Sequence, residues 1–123
     1  VPPGDVLAAL EDQLADTVAL VDQVGEARAG HRYAPGKWTV RQLLGHVVDT
    51  ERVFTYRALC AARGETAALP GFDENAWADG GAFDGRTLGS LMGELAAVRR
   101  GTLALFRNMD EAALARRVTA NGA

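Results

Sequence analysis

Three stretches of this chain repeat apolar residues at three- and four-residue spacing. The first runs through Leu7, Leu10, Leu14, Val18, Val21 and Val24, the second through Val40, Leu43, Leu44, Val47, Phe54 and Ala58, and the third through Leu88, Leu91, Met92, Leu95, Val98, Leu105 and Phe106. At about 3.6 residues per turn, such spacing gathers each set on one face of a helix. The pattern predicts an all-α protein whose helices bury those faces on one another.

Local signals place the helix ends. Asp5, after Pro2, Pro3 and Gly4, can cap a first helix of about five turns that ends near Gly25 to Gly30. Thr39 and Gln42 have the spacing of a capping box, in which hydroxyl and amide satisfy each other's backbone N–H groups. They predict a second helix from Thr39 to about Arg63, stopped by Gly64, with Trp38 stapled against its first turn. The third long helix starts near Arg86 or Thr87, and Gly89 and Gly93 on it could admit a close neighbouring backbone.

His46 lies on the second helix at the shoulder of its apolar arc, aimed at the seam with a neighbouring helix. A histidine so placed is either hydrogen-bonded packing or a metal ligand or general base awaiting partners. Asp49, three residues on, is turned outward and suits an orienting partner. Glu51, about 140° around the helix from His46, faces inward and needs a partner of its own. Cys60 is some 21 Å farther along the axis and belongs to a different neighbourhood. His31 sits in the loop from Gly30 to Lys37 and reads as solvated.

Between Glu65 and Gly85 the helical pattern breaks. This long connection carries one short helix, Asp73 to Ala78, and the aromatics Phe72, Trp77 and Phe83, which suit a lid over the bundle end. After the third helix, Asn108 and Glu111 suggest a cap opening a turn through Leu114, and Asn121-Gly122 is turn chemistry. Three long helices with one extended crossover make most of a four-helix bundle, with a fourth helix expected outside these residues.

At 123 residues the chain is long enough for a single domain, 1–123, with a core that needs no staples. A net charge of −3 gives no basic footprint for nucleic acid. Cys60 as the single cysteine excludes an intrachain disulfide and a multi-cysteine zinc site. With no apolar run of membrane-spanning length and no basic leader, the expectation is a soluble cytoplasmic protein.

Three segments, W-T-V-R-Q-L-L-G-H-V-V-D-T-E at Trp38 to Glu51, P-G-F-D-E-N-A-W-A at Pro70 to Ala78, and Arg86 through Arg117, resemble the DinB-like superfamily, in its branch of metal-dependent hydrolases and thiol S-transferases. The resemblance implies a four-helix bundle and a divalent ion, nickel or zinc, held by three histidines. His46 matches the first of these. The other two, spaced H-x-x-x-H, would sit on a last helix absent from this sequence. Such an ion leaves open positions where a water is activated for hydrolysis, or a low-molecular-weight thiol for transfer to a small-molecule substrate. The resemblance also implies a possible homodimer. The other reading is a non-catalytic helical module that has lost the metal site and acts through self-association.

Overall fold

The computed structural model describes residues 3–32, 34–110 and 112. Among them the regular structure is helical: α1 spans Pro3–Val24, α2 Val40–Ala62, α3 Glu74–Gly80 and α4 Leu88–Arg107. Two 3₁₀ turns, Glu26–Arg28 and Phe83–Gly85, and one isolated antiparallel bridge between Arg32 and Thr39 complete it. Among the described residues no helix is long and apolar enough to cross a membrane.

The caps act as the residue types dictate. Thr39 Oγ1 accepts from the Gln42 N–H at 3.1 Å, while Gln42 Oε1 accepts from the Thr39 N–H at 3.0 Å. Thr87 and Asp73 cap α4 and α3 with the first half of that arrangement, their side chains accepting from the N–H groups of Ser90 and Ala76. Gly64, at φ 79, closes α2 in the left-handed conformation that glycine adopts without strain. α1 starts at Pro3, ahead of the expected Asp5 cap, because proline's fixed φ suits a first helical position. Asn108 ends α4, its side chain donating to the Ala104 carbonyl at 2.7 Å. The turn expected from Asn108 to Leu114 and the fourth long helix lie outside the described residues, apart from 108–110 and 112.

α4 is the central element, packed against both α1 and α2, which approach each other only marginally. Leu91 and Leu95 of α4 and Val48 of α2 are the largest fully buried side chains, joined by Val21, Leu44 and Phe83. Leu43 and Phe54, expected in the buried arc of α2, are 50% and 57% exposed. Measured from His46, the residues that meet α4, Leu44 and Val48, fall at roughly 160° and 200°, whereas Leu43 and Phe54 fall at roughly 60° and 80°. The apolar stripe is thus wider than the one helix that covers it here.

The crossover is fastened by one aromatic. Phe83 is 6% exposed, with its ring against Gly45 of α2 and against Gly81. A Cβ at Gly45 would lie 2.3 Å from ring carbons of Phe83, and one at Gly81 would lie 2.4 Å away. Phe72 and Trp77 stay nearer the surface, Trp77 at 44% exposure. The close approach that Gly89 and Gly93 could admit is not made among the described residues: a Cβ at Gly93 meets none of them within 4 Å, and one at Gly89 meets only its own cap, Thr87, at 3.9 Å.

Gly45→Ala is therefore expected to destabilise the protein by about 1–3 kcal/mol, because the buried ring has no room to retreat. Gly93→Ala, in open space on a helix, is expected to stabilise it by up to about 1 kcal/mol. Denaturant unfolding of the two variants checks the opposite signs.

Candidate functional site

His46 sits two turns into α2, behind a start held by more than its own cap. Thr39 Oγ1 donates to Asp84 Oδ1 at 2.6 Å, Gln42 reaches Asp79 Oδ1 at 3.5 Å, and Arg32 donates to the Lys37 carbonyl at 2.6 Å and to Gln42 Oε1 at 3.5 Å. The two aspartates tie the base of α2 to the crossover, and Arg32 ties it to the loop that precedes the helix. Trp38 lies against His46, with ring centroids 4.8 Å apart and planes tilted by 46°. One face of the half-buried imidazole is thereby covered.

The Thr50 hydroxyl, one turn on, lies 3.4 Å from each ring nitrogen. At that length it makes one weak hydrogen bond at most, so it does not commit the ring to a tautomer. His46 retains a nitrogen lone pair for another partner.

The imidazole lines a groove of about 430 Å³ between α1 and α2, floored by α4, with Leu10, Gln13, Phe54 and Phe106 among its walls. At its base is the partner that Glu51 requires. Arg99 is 5% exposed as a residue, and its Nε donates to both Glu51 oxygens at 2.9 and 3.0 Å while Nη2 donates to Oε1 at 2.6 Å. Arg99 Nη1 donates to the Leu10 carbonyl of α1 at 2.7 Å, and Thr102 Oγ1 donates to Glu51 Oε2 at 2.9 Å. The groove has apolar walls and a polar floor that is internally satisfied.

Asp49 takes the neighbouring flank of α2, about 60° around the helix from His46. It lines a second cavity with Phe72 and Trp77, so the crossover aromatics shape that cavity and not the His46 groove. Burial, reinforced by the neighbouring Glu94 carboxylate, raises the Asp49 pKa against the smaller opposing pull of Arg52 and His46. Glu94 shows the reverse: hydrogen bonds from Arg52 and Arg86 hold its carboxyl below the ordinary range. His31 is exposed, and Cys60 is a buried free thiol. Sequence reasoning required a partner for Glu51 but did not identify Arg99. Its signal was an arginine among the apolar positions of α4, one residue after Val98 and three before Thr102.

Among the described residues no group of three or more His, Cys, Asp or Glu could hold a metal ion. His46 is a single donor, and the sequence contains only one other histidine, His31.

Two stability predictions follow from these charges. Glu51→Ala leaves Arg99 buried without its carboxylate and is expected to cost roughly 3–5 kcal/mol, whereas the pair replaced together, Glu51→Leu with Arg99→Met, is expected to recover most of that loss. Chemical denaturation of the single and double variants checks this. For pH, the depressed Glu94 contributes stability that is present above the unfolded value of about 4.3 and is lost as pH falls through its lower folded value. The raised Asp49 contributes stability present below about 3.9 and lost as pH rises through its folded value. Glu94→Gln should thus flatten the acid limb of a Tm-against-pH curve, and Asp49→Asn should raise Tm near neutrality but not below pH of about 4.

Comparison with known proteins agrees with the helical architecture. A curated relative from Oceanobacillus iheyensis, named "Putative metal-dependent hydrolase OB0413", is 29% identical over 58 residues, which cover 47% of this chain and 34% of the relative. The chain thus spans about a third of that relative's length. No solved structure matches the chain. The profile of the DinB superfamily matches residues 9–123, nearly the whole sequence and all of the helices that build the groove, and the chain belongs to that superfamily.

Proposed function

We propose that this chain is part of a metal-dependent hydrolase and that His46 supplies one ligand to its divalent ion, nickel or zinc. The observation that carries the reading is the state of His46: half-buried at a groove wall, covered on one face by Trp38, and holding a nitrogen that no strong hydrogen bond occupies. The name of the Oceanobacillus relative, for the 58 matched residues, supports it.

The described residues do not by themselves make a metal site, because His46 stands without a second or third ligand beside it. The remaining ligands of a three-histidine set therefore lie outside them. The chain's own residues do other work. Trp38 restricts the imidazole's rotation, Thr50 offers its hydroxyl to either ring nitrogen, and the walls formed by Leu10, Phe54 and Phe106 favour a small substrate with an apolar part. Thiol S-transfer is the finer alternative chemistry for the same donor, with a low-molecular-weight thiol as co-substrate.

The test is metal content, measured by elemental analysis of the full-length natural protein and its His46→Ala variant after chelator-free purification. Near-stoichiometric nickel or zinc in the parent, lost in a variant that keeps its helical circular dichroism, is the expected result. Metal in neither protein, with a lowered Tm in the variant, would make His46 a packing residue and favour the self-associating module.

A further inference from the structure

The second cavity, on the flank of α2 away from the His46 groove, has the chemistry of a binding site. It encloses about 390 Å³ between α2 and the crossover, within the range of small-molecule pockets. Leu69, buried at 8% exposure, lies beneath it, and Phe72 packs on Trp77 at its side with ring centroids 4.6 Å apart. Trp77 is nevertheless 44% exposed. An indole left that open beside an apolar hollow offers a flat surface to whatever enters.

The charges at the rim are not balanced. Arg57 lines the cavity, donates one N–H to the Pro70 carbonyl at 3.2 Å, and lies 5.6 Å from the Phe54 ring centroid. It has no carboxylate partner among the described residues. Arg52, also on the rim, shares the single carboxylate of Glu94 with Arg86. Of the residues that line the cavity, Arg52 and Arg57 are cationic and Asp49 is the one acid, an excess of one positive charge in a chain whose net charge is −3.

We propose that this cavity binds a small aromatic carboxylate, its ring against Trp77 and its carboxylate on the Arg57 guanidinium. A planar guanidinium with donors to spare matches a carboxylate, and the apolar wall rewards a flat hydrophobic body. This site is independent of the metal, because none of its residues is a candidate ligand of the ion assigned to His46.

The experiment titrates 2-naphthoate and its uncharged analogue 2-naphthamide into the protein by calorimetry, with tryptophan fluorescence in parallel. The acid is expected to bind roughly tenfold or more tightly than the amide, the margin of a charge-assisted hydrogen bond. Arg57→Gln should bring the two affinities together, Trp77→Ala should weaken both, and His46→Ala should change neither. Circular dichroism of each variant checks folding, and the acid-to-amide ratio is read within one protein, so a general loss of stability cannot mimic the result. No binding of the acid at millimolar concentration, a ratio near one in the parent, a ratio unchanged in Arg57→Gln, or loss of binding in His46→Ala would each overturn the proposal.

Discussion

The buried pair of Glu51 and Arg99 is the interaction on which the arrangement of the three long helices depends. Taking a carboxylate and a guanidinium out of water costs several kcal/mol per ion, and attraction alone seldom recovers it. Here the remaining hydrogen-bonding capacity is used as well. Both carboxylate oxygens receive Arg99, one also receives Thr102, and the free end of the guanidinium is taken by the Leu10 carbonyl. Because α1 and α2 barely touch, that last bond gives the groove between them a fixed width. The pair therefore does more for geometry than for stability.

A second constraint operates at the base of α2. A capping box ordinarily satisfies only its own helix, but here the same two side chains also reach Asp84 and Asp79. The crossover returns the constraint through Phe83, whose ring occupies the space a side chain at position 45 would need. Gly45 is the residue before His46. The crossover and the imidazole are thus positioned by adjacent residues of α2.

What could be read from the sequence follows the range of the interactions. The capping box and the stop at Gly64 are decided within four residues and stand where the sequence places them, and of the two starts it offers for the third long helix, near Arg86 or Thr87, the cap is Thr87. The inward demand of Glu51 was legible from its angular position, but its partner is 48 residues away, and only the place of Arg99 within the apolar stripe of α4 distinguishes it from its neighbour Arg100. Leu43 and Phe54 show the limit of periodicity: a stripe says which face is apolar, not how many neighbours share it. Gly89 and Gly93 fail for a similar reason, since glycine permits a close approach without requiring one, and the approach occurs at Gly45. His46 was located on its helix, but its contact with Trp38 depends on how the preceding loop turns.

The three flanks of α2 explain how one helix can support two separate sites. Leu44 and Val48 bury the first against α4. His46, Thr50 and Phe54, at four-residue spacing, form the groove flank, while Asp49, Val53 and Arg57, at the same spacing, form the cavity flank. Adjacent rows on a helix surface stay apart along its whole length, so a ligand in the cavity meets the crossover and never the polar floor made by Glu51 and Arg99. The two flanks meet directly where the Arg57 guanidinium lies 5.6 Å from the Phe54 ring centroid, and the contact of Gly45 with Phe83 clamps the base of the helix below them. The shortest route for an influence of one site on the other is therefore the Arg57–Phe54 contact: a carboxylate that draws the guanidinium toward the cavity takes it off a wall of the groove.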